Sequence, residues 1–183
     1  MSGKLDAGLL FIFVTLANGK YIIKDVLIMR VNVYKTKLTA DKKVTLEKEV
    51  CVNRPDLNKT IKSPEHVAMF ARNFLHLHEQ SEEYLYMICM NVKNVITSVF
   101  ELSHGNVNSS IVGIREMFQK ALLANAVSII VMHNHPSGDC KPSIEDIEVT
   151  KRMIEAGKIL GVEVLDHIII ADQYCSLKEK GYV

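Results

Sequence analysis

The sequence predicts an α/β protein in which a mixed β-sheet is flanked by helices. Segments with apolar residues at helical spacing alternate with short, continuously apolar runs, of which residues 127–132 are typical of a strand buried on both faces. The composition agrees, because 183 residues with 48% hydrophobic and 23% charged side chains can build one packed domain with a short appendage. Collagen-like, low-complexity and intrinsically disordered classes are thereby excluded.

Residues 1–62 are predicted to form a β-rich N-terminal extension. Apolar and polar residues alternate over 31–38 and 44–52 around a turn at 40–42, which is the pattern of a β-hairpin. The earlier apolar run at 7–17 has 11 residues, whereas a bilayer span takes about 20. We therefore expect no membrane span and interpret this run as a buried strand or helix, with a signal-like segment and a translation start at Met29 as alternatives.

Residues 63–183 are predicted to form a single α/β domain. Ser63 and Pro64 are suited to the N-cap and first turn of a helix that reaches about residue 78. The remaining predicted elements, in chain order, are strands at 84–90 and 95–102, a helix at 115–125, a strand at 127–132, a helix from Ser143 to Leu160 ended by Gly161, and a strand at 162–171.

The net charge of +1 conceals an asymmetry along the chain. Residues 1–62 hold twelve Lys and Arg against six Asp and Glu, whereas the rest of the chain carries a net charge of −5. Nucleic-acid binding depends first on neutralising phosphates. If the protein contacts DNA, we therefore expect residues 31–62 to do so.

The four cysteines are widely spaced and form no C-x-x-C pattern. This spacing argues against a zinc knuckle or a thioredoxin-type motif and predicts reduced thiols in a cytoplasmic protein. No feature of the sequence predicts the oligomeric state.

Two histidines at the end of the apolar run 127–132 predict a metal site. Residues two apart on a strand point to the same side, so His133 and His135 would present both imidazoles together. After a loop containing Pro and Gly, Asp146 lies in the first turn of the next helix, where it can turn back toward the strand end. Two imidazoles and one carboxylate, with a fourth position for water, form a catalytic zinc site. We predict that His133, His135 and Asp146 bind Zn²⁺.

Each part of this pattern also has a structural interpretation. Ser143 and Asp146 fit the S-x-x-D helix-capping pattern, which does not prevent Asp146 from binding a metal. Asp139 is an alternative third ligand. His167, on the last predicted strand, is expected to satisfy a core hydrogen bond rather than to bind metal.

The pattern His133-x-His135-x₇-Ser143-x₂-Asp146 resembles the JAMM signature of metallopeptidases with the JAB/MPN domain, whose architecture is cytidine-deaminase-like. Within that group, HNHPSGD at 133–139 and LDHIII at 165–170 are similar to the RadC family, long labelled as DNA-repair proteins. Two features depart from the family. Gly113-Ile114 replace a typical His-Pro pair, and residues 1–62 do not resemble the helix-hairpin-helix module of full-length members, so we expect a short form.

The resemblance implies a zinc-dependent peptidase or isopeptidase acting on a peptide or protein substrate. The zinc ion would lower the pKa of its bound water to about 7, and a glutamate would accept the proton as general base. Counting back from the N-x-x-N pattern at 91–94 places this glutamate at Glu83, with Glu101 and Glu116 as rivals. Ser143 is expected to hydrogen-bond the oxyanion formed on the scissile carbonyl.

The sequence leaves two alternative functions. The first is a non-catalytic metal-binding RadC-like module acting in DNA repair, recombination or mobile-element biology. The second is a zinc nucleobase deaminase, which the sequence disfavours because the H-x-E…P-C-x-x-C pattern is absent.

Overall fold

The described strands form two β-sheets, and three α-helices pack on the larger one. The structure is a computed structural model that describes residues 9–15, 21–27, 29–54, 60–105 and 113–183, with side chains described for 31–51, 60–105 and 113–183. The helices are α1 (Pro64–Asn73), α2 (Ile114–Leu123) and α3 (Ile144–Leu160), with a 3₁₀ turn at Leu77–Glu79. The strands are β1 (Leu9–Thr15), β2 (Tyr21–Leu27), β3 (Met29–Leu38), β4 (Val44–Arg54), β5 (Tyr84–Met90), β6 (Ile96–His104), β7 (Ser128–Asn134), β8 (Glu163–Ile170) and β9 (Tyr174–Ser176).

The larger sheet has seven strands in the order β4-β3-β6-β5-β7-β8-β9. It is mixed, because β3 with β6 and β7 with β8 are parallel whereas the other neighbours are antiparallel. The predicted α/β class and the hairpin at 31–52 are confirmed. β3 joins the sheet through Val33, which pairs with Val99 of β6, so the sheet is continuous across the proposed domain boundary at 62/63. That boundary stays a prediction.

Two apolar layers hold the helices on opposite faces of this sheet. Helix α1 covers one face, and α2 together with α3 covers the other. The alternation of side chains along β7 supplies both layers, since Ile130 and Met132 face α1 whereas Ile129 and Val131 face α2 and α3. Both faces of β7 are buried, as the continuous apolar run predicted.

Some element boundaries differ from the predictions. Helix α1 ends at Asn73, before the expected residue 78, because His76 has a left-handed backbone conformation (φ 52°) that interrupts the helical path. Strand β7 continues past residue 132 to Asn134, because pairing with β5 and β8 extends through these polar residues. Strands β2 and β9 were not predicted.

The apolar run at 7–17 contains β1, which pairs with β2 in a separate two-stranded antiparallel sheet. Residues 7, 8, 16 and 17 lie outside the described residues, as do the side chains of β1. Among the described residues, no helix combines the length and the hydropathy needed to span a membrane.

Helix α3 approaches the strand that follows it through Gly157. The backbone N–H of Val162 donates to the carbonyl oxygen of Gly157 over 3.0 Å, and a Cβ atom at Gly157 would lie 2.4 Å from the carbonyl oxygen of Val162. Only glycine allows this separation. The contact determines how closely α3 packs on the sheet, and α3 carries Asp146.

We expect Gly157→Ala to lower the free energy of unfolding by about 1–3 kcal/mol, because the added methyl group overpacks the contact with Val162. This effect opposes the intrinsic preference of a helix for Ala over Gly, which is about 1 kcal/mol. Urea unfolding measures the change. Glu155→Ala, on an exposed position of the same helix, is the control and should stay within about 0.5 kcal/mol of wild type. A Gly157→Ala variant as stable as wild type would contradict this account.

Candidate metal centre

The end of β7 and the start of α3 bring the three predicted ligands together. His133 is the second-last residue of β7 and is 2% exposed. His135 follows directly after the strand. Asp146 is the third residue of α3 and turns back toward the strand end. Among the described residues, these three side chains form a group whose ligand atoms all lie within 4.8 Å of one another.

The distances between the ligand atoms suit a single zinc ion. Nε2 of His133 lies 3.0 Å from Nε2 of His135 and 3.4 Å from Oδ1 of Asp146, and Nε2 of His135 lies 3.6 Å from Oδ2 of Asp146. Two ligand atoms bound at 2.0–2.1 Å to a tetrahedral zinc ion stand about 3.3–3.4 Å apart. The donor set of two imidazoles and one carboxylate therefore fits zinc in both chemistry and spacing.

Ser143 caps α3 and also holds the carboxylate of Asp146. The Ser143 hydroxyl accepts a hydrogen bond from the backbone N–H of Asp146 (3.0 Å) and donates to its Oδ2 (2.6 Å), while the Ser143 N–H donates to the same oxygen (2.8 Å). The capping interpretation is therefore confirmed, and the cap leaves Oδ1 of Asp146 directed at His133. The hydrogen bonds between Ser143 and Asp146 therefore cap the helix and also orient the predicted ligand.

The two histidines have opposite electrostatic environments. Burial, followed by the neighbouring His167, holds the pKa of His133 well below its ordinary value of 6.5. The neighbouring carboxylate of Asp146 raises the pKa of His135, although partial burial opposes it. Burial alone would raise the pKa of Asp146, but the neighbouring His135 and His133, together with the donors of Ser143, lower it. On acidification, His135 is therefore the first of the three groups to take up an additional proton.

The Nδ1 atom of each predicted histidine ligand contacts a group outside the ligand set. Nδ1 of His135 lies 2.7 Å from the backbone oxygen of Asp139, and Nδ1 of His133 lies 2.8 Å from Nε2 of His167. His167 is 1% exposed and makes core hydrogen bonds, as predicted. What the sequence did not indicate is that its partner is a predicted metal ligand. Both Nε2 atoms are thus left facing Asp146.

Asn134, the central residue of the H-x-H pattern, was missed as a functional position. Its buried side-chain amide accepts from the backbone N–H of Tyr84 (2.7 Å) and donates to the backbone oxygen of Glu82 (2.9 Å). These two bonds hold the backbone on both sides of Glu83. Because they cross from β7 to the start of β5, fifty residues earlier, no local sequence pattern points to them.

Glu83 lines the same cleft of about 370 Å³ as His135 and Asp146. The rival bases lie elsewhere. Glu101 is bonded to Tyr86 (3.0 Å) and His104 (2.8 Å), Glu116 pairs with Arg115 (3.1 Å), and neither lines this cleft. Glu83 therefore lies in the same cleft as two predicted ligands. Its assignment as general base stays a prediction.

Asp139, the alternative third ligand, also lines the cleft but contributes differently. Its carboxylate accepts from the backbone N–H of Lys141 (2.9 Å), and its backbone oxygen faces Nδ1 of His135. It is not a member of the ligand group formed by His133, His135 and Asp146. Asp139 therefore orients a predicted ligand.

Comparison with known proteins extends the similarity over most of the chain. Residues 61–182 match the family model for the RadC-like JAB domain. A UPF0758 protein of Caldanaerobacter subterraneus subsp. tengcongensis is 46% identical over 140 residues, which cover 76% of this chain and 59% of that protein. A UPF0758 protein of Syntrophomonas wolfei is 39% identical over 160 residues, covering 80% of this chain and 68% of that protein.

A third relative, a UPF0758 protein of Clostridium acetobutylicum, is 51% identical over 106 residues, covering 57% of this chain and 46% of that protein. The chain thus spans roughly half to two thirds of the length of these curated relatives. The matched region contains the ligand group and the cleft described above. On the family match and these identities, the chain belongs to the RadC family, with residues 61–182 forming its RadC-like JAB domain.

Proposed function

We propose that the protein is a zinc-dependent hydrolase of the JAMM type that cleaves an amide bond in a peptide or protein. The observation that carries the proposal is that three ligand atoms lie within 4.8 Å of one another, and that two of these residues line a cleft together with Glu83. His133, His135 and Asp146 would hold the metal, and Glu83 would serve as general base. The proposal includes the cytoplasmic location expected from the cysteines.

When bound, Zn²⁺ would supply the acidity that makes a water molecule nucleophilic at neutral pH. Glu83 would accept a proton from that water and return it to the leaving amine, so that proton transfer at the carboxylate balances over the reaction. Asn134 supports this role, because its two backbone bonds hold the segment that carries Glu83. The peptide would bind in this cleft, whose lining also includes Ser137, Lys141 and Glu145.

The hydroxyl of Ser143, which the resemblance implies as an oxyanion donor, is already hydrogen-bonded to Asp146. Its hydroxyl carries one proton, which it donates to Oδ2 of Asp146 over 2.6 Å. To bond an oxyanion on the scissile carbonyl, the hydroxyl must rotate away from Asp146. We therefore propose that Ser143 orients Asp146 before substrate binds and donates to the oxyanion only as the reaction proceeds.

The alternative, a non-catalytic module contacting DNA, has less support from the described surface. The region 31–62 was expected to supply such contact. In the hairpin β3–β4, however, three lysines form ion pairs with neighbouring acids: Lys35 with Glu49 (3.1 Å), Lys37 with Glu47 (3.0 Å) and Lys43 with Asp41 (2.7 Å). These pairs reduce the positive charge that the hairpin offers to phosphates, which is the reason we rank DNA contact second.

The ligand assignment predicts that the purified full chain binds one equivalent of Zn²⁺, measured by competition with a chromophoric chelator. Asp146→Asn and His135→Ala should each weaken binding by at least a hundredfold, because each removes a ligand. Asp139→Asn is the matched control and should bind as wild type does, since its carboxylate accepts from the backbone of Lys141 and lies outside the ligand group found among the described residues. Loss of binding in Asp139→Asn with retention in Asp146→Asn would reverse the assignment.

Zinc affinity should depend on pH through one histidine. The pKa of His135 is raised, so below that pKa the metal must displace its additional proton, whereas His133 has a lowered pKa and is already neutral. Because binding releases a proton, affinity rises with pH. From about pH 5 to 6.5 we expect the logarithm of the affinity to rise by about one unit per pH unit. A slope of two, measured by the same competition assay, would contradict this account.

Glu83→Gln should retain zinc affinity within about twofold but lose about 10²–10⁴-fold in the rate of amide hydrolysis, because the amide cannot accept a proton. Single-turnover cleavage of a peptide library by the zinc-loaded protein measures the rate. Glu82→Gln is the matched control, since it removes the adjacent carboxylate and leaves Glu83 in place. A zinc-loaded wild type that cleaves no peptide would favour the non-catalytic alternative.

A further inference from the structure

A buried row of polar groups lies behind the metal centre and has no part in the proposed chemistry. Nδ1 of His133 contacts Nε2 of His167 at 2.8 Å, and Nδ1 of His167 contacts Oγ1 of Thr150 at 2.6 Å. Oγ1 of Thr150 lies 2.5 Å from the backbone oxygen of Asp146. All three side chains are at most 2% exposed, so they exchange hydrogen bonds with one another and not with solvent.

The number of protons available determines the direction of every bond in this row. The backbone oxygen of Asp146 only accepts, so the hydroxyl of Thr150 must donate its single proton there. With that proton used, the hydroxyl oxygen can only accept a hydrogen bond from His167, through a lone pair. Nδ1 of His167 therefore carries a proton and donates it to Thr150.

The same reasoning continues to the metal centre. The ring of His167 is 1% exposed, and its two nitrogens contact His133 and Thr150, neither of which is an acid that could balance a charge on it. A neutral imidazole with a proton on Nδ1 has a lone pair on Nε2. That lone pair accepts from Nδ1 of His133. With its proton on Nδ1, the neutral His133 has a lone pair on Nε2, the atom that faces His135 and Asp146.

We propose that Thr150 and His167 are positioning residues that hold His133 in the tautomer with an unprotonated Nε2, the form that binds a metal. The tautomer follows from the bonds alone, whereas its benefit to zinc affinity rests on the proposed function. Groups that hydrogen-bond to a metal-binding histidine in this way commonly contribute ten- to a hundredfold in metal affinity. The row also links the two elements that carry ligands, because Thr150 bonds to the backbone of Asp146 in α3 while His167 lies on β8, beside β7.

His135 reaches the same tautomer by a different route. Its Nδ1 faces a backbone oxygen, that of Asp139, which only accepts and so requires a proton on Nδ1. His133 has no backbone oxygen in that position. Its tautomer depends on a second histidine, whose own tautomer would be undetermined without Thr150.

Thr150→Val tests this dependence, because valine keeps nearly the same shape and removes the hydroxyl. Nδ1–H of His167 would then be buried without an acceptor, which favours its other tautomer, with the proton on Nε2. That proton would be donated to Nδ1 of His133 and would move the His133 proton to Nε2, where it blocks the metal. Thr150→Ser is the matched control, since serine restores the hydroxyl.

The experiment combines two measurements on the metal-free full chain labelled with ¹⁵N-histidine. Nitrogen chemical shifts report which ring nitrogen of His133 carries the proton, and titration with Zn²⁺ against a chromophoric chelator reports affinity. We expect the His133 proton on Nδ1 in wild type and in Thr150→Ser. We expect Thr150→Val to move it to Nε2 and to weaken zinc binding about ten- to a hundredfold.

A wild-type His133 with its proton on Nε2, or a Thr150→Val variant that binds zinc within twofold of Thr150→Ser, would overturn the proposal. If Thr150→Val does not fold, the wild-type spectrum alone decides the tautomer. If wild type binds no zinc, the proposed hydrolase function fails, while the spectrum still supports or overturns the assignment of the tautomer. The two failures are therefore distinguishable.

Discussion

The central position of β7, paired with β5 on one side and β8 on the other, is the constraint on which the site depends. The strand ends at the edge of the sheet where β5 begins and β8 ends. At that edge β7 presents His133, β5 is preceded by Glu83, and β8 supplies His167 behind the ligand. A displacement of either neighbour would remove a partner from the metal centre, although no residue of β7 itself had changed.

This edge concentrates buried polar groups that would be costly without partners. His133, Asn134, Thr150 and His167 are all at most 2% exposed, and each has a hydrogen-bond partner in the structure. A satisfied polar network in a low-dielectric interior is stiff, because moving any member leaves a donor or acceptor unpaired. The stiffness suits a metal centre, in which ligand atoms must keep their separations.

The two predicted histidine ligands differ in burial and in protonation. His133 is enclosed, neutral and held by a chain of side chains, whereas His135 is half-buried, has a pKa raised by the neighbouring Asp146 and borders the cleft. One ligand is therefore prepared for a metal at any physiological pH, and the other exchanges a proton for it. This division follows from depth: β7 buries residue 133 within the sheet, and the chain leaves the sheet before residue 135.

The sequence by itself determined the parts of this protein that depend on neighbours along the chain. The apolar run at 127–132 predicted β7, the capping residue Ser143 and the terminal Gly161 predicted α3, and the strand, loop and helix that place His133, His135 and Asp146 are contiguous. Thr150 lies four residues after Asp146, a spacing at which a hydroxyl reaches the preceding carbonyl, so it too had a local signal.

Only the tertiary structure decided what comes from other strands. Asn134 meets the backbone of Tyr84 across fifty residues, and His133 meets His167 across thirty-four. Periodicity reports which face of a strand is apolar but not which strand lies beside it. The order β5-β7-β8 is set by the packing of whole layers, and for that reason the support of Glu83 and the tautomer of His133 became visible only in the folded chain.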